Sequence, residues 1–143
     1  MELDALDRQL LEELAAHGRL SNMELAQRVP LTHSAISRRI ARLEKTGVIL
    51  GYGATIDPAA LGLGIRAFIN LRKDPSMPVD QLGRQLRAIS GVEHCWIITG
   101  EYDIMLDVRA TDMPALSDIL FKKVQKVKGV QSTVSIFVLD ESR

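Results

Sequence analysis

Apolar residues near the N-terminus recur at the spacing of one helical face. They are Leu6, Leu10, Leu11 and Leu14. Because Asp4 precedes this stripe as an N-cap and Gly18 follows it, the pattern predicts a first helix between the two. A second, shorter helix begins after Ser21, which fits a capping box with Glu24, and it extends to Val29. The chain is therefore predicted to start with two short helices.

A third helix is predicted over residues 33–46. Thr32 is its N-cap, an apolar stripe runs along it, and Gly47 is a natural C-cap. The stripe consists of Ile36, Ile40 and Leu43. Residues 48–56 are apolar, favour β structure and contain glycines, so we expect a short ribbon or wing that closes at Asp57. Three short helices and a wing match the helix-turn-helix arrangement, whose last helix enters the major groove of DNA.

From residue 64 onward the apolar residues alternate as they do in strands. Strands are predicted over residues 64–71, 92–99, 103–110 and 130–139, and helices over residues 79–89 and 112–128. The order is βαββαβ, and similar helix ends before Gly91 and Gly129 indicate an internal repeat, although common caps can also coincide. Two βαβ halves form a ferredoxin-like antiparallel sheet with both helices on one face.

These patterns together predict an α+β protein with two domains. A winged helix-turn-helix occupies residues 1–56, a linker occupies residues 57–63, and a ferredoxin-like domain occupies residues 64–143. The boundary lies where the helical period gives way to alternation, and Pro58 marks that change.

Both faces of the predicted sheet carry apolar side chains. We assign Ile65, Ile69, Trp96, Ile98, Ile104, Leu106, Val108, Ile136 and Val138 to one face, and Phe68, Cys95, Ile97, Met105, Phe137 and Leu139 to the other. Because two helices cover only one face of such a sheet, the second apolar face needs another partner. A twofold copy of the same surface is the simplest partner, so we predict a homodimer built through the C-terminal sheets.

Composition excludes several classes of protein. With 46% hydrophobic and 25% charged residues, the chain is typical of globular proteins rather than of disordered or fibrous ones. No apolar run is long enough to span a membrane and the N-terminus lacks a signal-peptide pattern, so we expect a cytoplasmic protein without a membrane partner. The single cysteine, Cys95, excludes an internal disulfide, and three scattered histidines show no metal-ligand spacing. We therefore expect neither a metal nor a cofactor.

The net charge of the chain is zero, but the charges are unevenly distributed. Residues 1–27 carry two bases against six acids, whereas residues 28–45 carry five bases against one acid. This segregation places a local positive field over the third predicted helix, as expected for a surface that meets nucleic acid.

The outward face of the third predicted helix carries small and basic side chains. Ser34, Ser37 and Arg38 lie opposite the apolar stripe, so we assign them to base edges, where arginine can pair with guanine. The cations assigned mainly to phosphate are Arg28, Arg39, Arg42 and Lys45, and the predicted DNA contacts also include Thr32 and His33. The alternative is an ordinary solvated basic face.

Short sequence motifs run through the whole chain in a specific order. In the N-terminal half they are Leu3-Asp4-x-x-Asp7-x-x-Leu10-Leu11, Gly18-Arg19-Leu20-Ser21, Glu24-Leu25-Ala26, Arg39-Ile40-x-Arg42-Leu43-Glu44-x-x-Gly47-Val48-Ile49 and Gly51-Tyr52. In the C-terminal half they are Thr99-Gly100-Glu101-Tyr102-Asp103 and Gly129-Val130, followed by Val138-Leu139. In this order they resemble the Lrp/AsnC, or feast/famine, family of regulators. The resemblance implies a winged helix-turn-helix, a sheet-mediated dimer, assembly of dimers into octamers or similar discs, and an amino acid or related metabolite as effector.

The same resemblance implies an effector site beside the turn at Gly100–Asp103, where C-terminal domains of different dimers meet. The chemistry of the turn agrees, because a glycine-containing turn exposes backbone amides to a carboxylate, while Glu101 and Asp103 can meet an ammonium group. The predicted effector contacts are Ile98, Thr99, Gly100, Glu101, Tyr102, Asp103, Ser132, Thr133 and Ser135. An ordinary hairpin turn with solvated acids is the alternative, and the identity of the effector stays open.

Two other functions compete with a regulator. The chain also resembles siroheme decarboxylases, for which Arg66 and His94 are the candidate catalytic residues. An enzyme has little use for the outward pattern of the third helix, so we expect no catalytic residues. An architectural DNA-binding protein without an effector uses the same residue types as a specific regulator. Pro30 departs from the glycine common in the family, and because proline cannot adopt the left-handed conformation, the geometry of this turn also stays open.

Overall fold

The computed structural model of the chain describes residues 2–142, so the outermost bounds of the predicted domains, residues 1 and 143, lie outside the described residues. The chain divides into two units, of which the first ends at Thr55 and the second begins at Ile56. Each unit has its own cluster of buried apolar side chains. The two units are therefore described separately.

The N-terminal unit contains three helices, α1 (Ala5–Ala16), α2 (Asn22–Ala26) and α3 (His33–Lys45). The predicted N-caps are confirmed, since Asp4, Ser21 and Thr32 each accept a hydrogen bond from a backbone amide in the first turn. The second helix ends at Ala26 rather than at the predicted Val29. Proline explains the difference, because the ring of Pro30 would clash with the carbonyl of Ala26 in a continuing helix.

Each of the three helices contributes apolar side chains to the core of the N-terminal unit. Leu10 of α1, Leu25 of α2 and Ile36 of α3 are fully buried against one another, together with Val29 from the turn. The amphipathic stripe predicted for α3 is thus confirmed, and it fixes which face of α3 points outward.

The predicted wing is not formed by paired strands within the described chain. Residues 50–57 belong to neither a helix nor a strand, and Leu50 is 95% exposed. The start of the segment is held because the amides of Val48 and Ile49 both donate to the carbonyl of Leu43, and further along the hydroxyl of Tyr52 donates to Glu44 Oε1 at 2.8 Å. A β-ribbon requires a second strand to accept its ladder of hydrogen bonds, and this segment provides one apolar run interrupted by glycines.

The C-terminal unit is a four-stranded antiparallel sheet with helices packed on one face. Its strands are β1 (Ile65–Lys73), β2 (Val92–Ile97), β3 (Ile104–Ala110) and β4 (Val130–Phe137). Its α-helices are α4 (Val79–Arg87) and α5 (Met113–Asp118), and a short 3-10 turn, Pro58–Leu61, precedes β1. The strand order is β2-β3-β1-β4, and with the βαββαβ connectivity it confirms the predicted ferredoxin-like fold.

The second predicted helix of this unit, residues 112–128, is present but is not a regular α-helix throughout. After α5 the chain continues as a π turn, Ile119–Lys123, and then as a 3-10 turn, Val124–Lys126. A π turn has more residues per turn than an α-helix, which changes the face that each later residue presents. As a result Ile119 and Val124, five positions apart, are both buried in the core.

One face of the sheet packs against the helices and forms the core of the C-terminal unit. Alternate residues of the two central strands are buried there, namely Ala67, Ile69 and Leu71 of β1 and Ile104, Leu106 and Val108 of β3. Leu82 and Leu86 of α4 and Leu116 of α5 pack against them. The buried side of β1 is the side that the alternation predicts.

No helix among residues 56–142 packs against the opposite face, and we call it the uncovered face. It carries Arg66, Phe68, Asn70, His94, Trp96, Met105, Asp107, Val134 and Ile136. Placing Trp96 and Ile136 on the same face as Ile69 is therefore wrong. Assigning Cys95, Ile97 and Phe137 to the opposite face is also wrong, because they pair with Leu106, Ile104 and Ala67 on the helix side. Cys95, not Trp96, pairs with Leu106 and lies on the helix side. A register shift between Val92 and His94 changes the parity of β2, which strict alternation does not anticipate.

Candidate DNA-binding helix and ligand-binding turn

The outward face of α3 presents the residues predicted to contact bases. Ser34, Ser37 and Arg38 are exposed, whereas Ile36 of the same helix is fully buried. At the start of the helix the hydroxyl of Thr32 accepts a hydrogen bond from the amide of Ala35 at 3.3 Å and also lies 3.3 Å from the hydroxyl of Ser34. His33 and Lys45 are exposed at the two ends of α3.

The predicted phosphate contacts have different surroundings. Within residues 2–142, Arg38 and Lys45 form no salt bridge, so both cations face solvent. Arg28 instead pairs with Glu13 at 2.9 Å. Arg39 and Arg42 pair with acidic residues of the first helix, a contact that the sequence reasoning missed because it joins positions 32 and 35 residues apart.

We call this group of four charged residues, Asp4, Asp7, Arg39 and Arg42, the Asp7 cluster. Arg39 Nη1 donates to Asp4 Oδ2 at 2.6 Å and to Asp7 Oδ1 at 2.8 Å. Arg42 Nη2 donates to both carboxylate oxygens of Asp7 at 2.6 Å. Burial acts to raise the pKa of Asp7, but the hydrogen bonds from Arg39, the Asp4 amide and Arg42 outweigh it, so the pKa is lowered. Asp7 is thus a buried carboxylate that stays charged.

The predicted effector turn joins β2 to β3 and is tied to the end of β1. The amide of Ile98 donates to the carbonyl of Asp103 at 2.9 Å, and the amide of Asp103 donates to the carbonyl of Leu71 at 3.0 Å. Gly100 has a φ of 109°, a conformation that favours glycine. The turn is therefore a defined structure with an exposed glycine at its tip.

The side chains of the turn already have partners within the chain. Asp103 Oδ2 accepts a hydrogen bond from the amide of Lys73 at 2.8 Å, which leaves its second oxygen for another donor. Glu101 pairs with Arg72 at 2.6 Å on the surface, and the same guanidinium lies 5.5 Å from the ring centre of Tyr102. Arg72 therefore organises both side chains, a role for which the sequence gives no local signal.

The predicted contacts on β4 lie at the same end of the sheet as the turn. Thr133 is opposite Leu71 and Ser132 is opposite Arg72, so both flank the end of β1 to which the turn is bonded. Ser135 lies two residues further along, opposite Ile69. Gln125 Nε2 donates to the hydroxyl of Thr133 at 2.9 Å and lines a small cavity of about 230 Å³ with Ser132 and Thr133. Gln125 is a candidate contact that the sequence reasoning missed, because it follows an irregular helix end.

The residues of the competing enzyme hypothesis form an ion-pair network on the uncovered face. Arg66 donates to both oxygens of Asp107 at 3.0 Å, and His94 Nδ1 lies 3.2 Å from Asp107 Oδ2. Burial acts to raise the pKa of Asp107, but these hydrogen bonds outweigh it and lower the pKa. A cleft of about 600 Å³ in this unit is lined by Glu93 and Arg109 rather than by Arg66 or His94. In this network Arg66 therefore neutralises the charge of the buried Asp107.

The same network also contains the ligand atoms of a possible metal site. Among the described residues, side-chain oxygen and nitrogen atoms of Glu93, His94 and Asp107 lie within 4.8 Å of one another. Arg66 already binds Asp107, and Arg109 Nε donates to Glu93 at 3.1 Å. The two guanidinium groups already bond oxygens of both carboxylates, and their positive charges oppose a cation at this place, so the donor set fits an ion-pair network better than a metal.

No helix among the described residues has the length and apolar character needed to cross a membrane.

The fold and the two candidate sites define a class of protein, a helix-turn-helix protein with a separate ligand-binding domain. Comparison with known families agrees for each unit. The AsnC-type helix-turn-helix domain matches residues 3–44, and the Lrp/AsnC ligand binding domain matches residues 66–143. The chain therefore belongs to the Lrp/AsnC family of transcription regulators.

Individual relatives cover almost the whole chain. The leucine-responsive regulatory proteins of Escherichia coli K12 and Salmonella typhimurium are 31% identical to it over 98% of this chain and 87% of theirs. A feast or famine regulatory protein from Mycobacterium tuberculosis, solved with L-methionine, is 40% identical, with a TM-score of 0.91 over 98% of this chain and 94% of that one. A Neisseria meningitidis transcriptional regulator in complex with L-methionine is 34% identical, with a TM-score of 0.92 over 99% and 93% of the two chains.

Proposed function

We propose that the chain is a transcription regulator that binds double-stranded DNA through α3 and responds to an amino acid bound at the C-terminal unit. The outward face of α3 carries this proposal. It combines two small hydroxyl side chains with the unpaired cation of Arg38, while the apolar side of the helix is locked in the core. Small side chains allow close approach to the groove, and arginine can bond guanine in bidentate fashion.

The proposed contacts divide into two groups. Ser34, Ser37 and Arg38 face the bases, whereas Thr32, His33 and Lys45 lie toward the phosphates at the ends of the helix.

A dimer carrying two such helices would span half-sites about one helical turn, ~34 Å, or a small multiple apart. An architectural protein is the second candidate, and the ratio of affinities for selected and random DNA separates the two.

Replacing Arg38 with alanine is expected to weaken DNA binding by roughly 1 to 3 kcal/mol and to relax sequence preference at one position of each half-site. The reason is that a bidentate contact discriminates between bases, whereas a phosphate contact does not. Binding-site selection on random duplexes, followed by titration at fixed salt, measures both quantities.

The control for this prediction is Arg19→Ala, which removes an exposed arginine of the same unit that lies outside α3. Unchanged sequence preference in Arg38→Ala would exclude base reading by this residue. A wild-type protein with equal affinity for selected and random DNA would instead favour the architectural function.

We propose that the effector site lies at the turn Gly100–Asp103 and the adjoining end of β4. The exposed amide of a glycine turn and the free oxygen of Asp103 can receive the carboxylate and the ammonium group of an amino acid. Ile98, Thr99, Glu101 and Tyr102 of the turn, and Ser132, Thr133 and Ser135 of β4, are its proposed lining. The L-methionine bound to two relatives of the same fold supports an amino acid as the ligand class.

Asp103→Asn is expected to abolish stabilisation by the effector while leaving DNA binding measurable. The asparagine oxygen can still accept the hydrogen bond from the Lys73 amide, but the charge that attracts an ammonium group is gone. A thermal-shift screen of the natural amino acids finds the ligand, because a ligand at 100 times its Kd stabilises the native state by about 2.7 kcal/mol.

The matched control for the effector prediction is Asp80→Asn, which neutralises an exposed carboxylate on α4. The control is expected to keep the wild-type shift. If Asp103→Asn also keeps it, the ligand binds elsewhere.

We further propose that the uncovered face is covered by a second copy of the chain. Trp96, Val134 and Ile136 are exposed there, and Asn70 on the same face has a buried side-chain oxygen without a hydrogen-bond donor among the described residues. A partner can satisfy both features. We also propose residues 57–63 as the linker and the cytoplasm as the location. By analogy with the family, we propose that the dimers assemble into octamers or similar discs. No catalytic role is proposed.

A further inference from the structure

A set of short charged hydrogen bonds in the N-terminal unit joins α3 to the start of α1. Asp7 sits in the first turn of α1 and is only 1% exposed. One of its oxygens also accepts a hydrogen bond from the amide of Asp4, which completes the capping box of the helix. The N-cap of α1 therefore fixes the Asp7 carboxylate independently of any contact with α3.

Two consecutive turns of α3 are held by this one carboxylate. Arg39 and Arg42 are three residues apart on the helix, so their side chains leave from the same side. Together they direct four hydrogen bonds of 2.6 to 2.8 Å at Asp4 and Asp7. Such a contact constrains both the position of α3 along α1 and its rotation about its own axis.

The charges of the Asp7 cluster cancel within the protein. It contains two carboxylates and two guanidinium groups, and hydrogen bonds from Arg39 to Asp4 and Asp7 raise the pKa of Arg39. Neither cation is therefore free in the way that Arg38 and Lys45 are. This arrangement argues against the sequence-based assignment of Arg39 and Arg42 to phosphate.

We propose that Asp7 is a positioning residue for DNA recognition, which fixes the rotation of α3 and keeps Arg39 and Arg42 from binding phosphate. The inference rests on the proposed DNA-binding function. According to this proposal, the residues that contact DNA are different from the residues that fix the orientation of α3. Arg38 and Lys45 contact DNA, while the two paired arginines set the angle at which they do so.

Salt dependence distinguishes this role from a merely structural one. The logarithm of the binding constant falls linearly with the logarithm of salt concentration, with a slope of about 0.9 for each phosphate contact. Neutralising Asp7 frees at least Arg42, whose only partners among the described residues are the oxygens of Asp7. Asp7→Asn is therefore expected to steepen the slope by about 1 to 2 and to strengthen binding to random DNA. At the same time it is expected to lower the ratio of specific to random affinity, because α3 is no longer fixed.

The experiment compares full-length wild type, Asp7→Asn and the control Asp4→Asn in titrations of selected and random duplexes at several KCl concentrations. Asp4 is more exposed than Asp7, and its side chain bonds Arg39 and the amide of Asp7. Asparagine is also a good N-cap, and Arg39 keeps its bond to Asp7, so the control is expected to retain the wild-type slope. A slope and a specificity ratio that are both unchanged in Asp7→Asn would overturn the proposal. A wild-type protein that binds no DNA would instead overturn the proposed function.

If Asp7→Asn does not fold, a second variant tests whether Arg42 is kept from binding phosphate. Arg42→Gln removes a cation that the proposal keeps away from DNA, and it leaves Arg39 paired with Asp7. The proposal expects the wild-type salt slope for this variant. A slope shallower by about 0.9 means that Arg42 binds phosphate and contradicts the proposal.

Discussion

Ile136→Glu is expected to convert the protein from a dimer or larger assembly into a monomer. Ile136 is 50% exposed in the isolated chain and lies opposite Phe68 on the uncovered face, next to other exposed apolar residues. In a dimer formed through this face the substitution buries an unpaired carboxylate, which costs about 3 kcal/mol or more. A twofold interface contains the change twice, so the dissociation constant rises by about 10⁴ or more.

The expected result is measured by sedimentation velocity over a range of protein concentrations. Met113→Glu is the matched control, because Met113 has similar exposure, 47%, but lies at the start of α5 away from the uncovered face. Circular dichroism checks that both variants are folded, as expected for substitutions at exposed positions. Retention of the wild-type mass by Ile136→Glu would place the dimer contact on another surface.

Features of the N-terminal unit that depend on local sequence could be predicted. The caps at Asp4, Ser21 and Thr32 are local because each side chain bonds an amide in the turn that follows it. The inward and outward faces of α3 follow from its period alone. Even the early end of α2 follows from Pro30 once the clash with the carbonyl four residues earlier is considered.

The assignment of sheet faces fails where local pattern carries no information. Each alternation along β2 mixes apolar and polar residues, so Trp96 and Cys95 are equally plausible core residues from the sequence. A side-chain period of two also means that one irregular pairing, here between Val92 and His94, exchanges the faces of every later residue. Such an irregularity depends on pairing with β3 and is not visible in β2 itself.

The partners of the predicted site residues also required the structure. Arg39 and Arg42 lie at the flanks of the α3 wheel, where a free cation and a paired cation look the same in sequence. Their partner Asp7 belongs to a capping box, which gives a complete local explanation for an acidic residue at that position. At the effector turn, the binding of Asp103 to the Lys73 amide depends on strand pairing between distant segments.

Leu10→Ala is expected to unfold the N-terminal unit and abolish DNA binding while the C-terminal unit stays folded. Leu10 is fully buried at the centre of a small cluster, so the truncation costs about 2 to 5 kcal/mol, comparable to the 3 to 5 kcal/mol that so small a core supplies. The only tryptophan, Trp96, lies in the C-terminal unit and reports on that unit alone by fluorescence. The part of the helical circular dichroism that comes from α1, α2 and α3 should therefore be lost at a lower temperature than in the control Leu11→Ala, with an unchanged Trp96 transition. An equal shift of both signals would show that the two units unfold together.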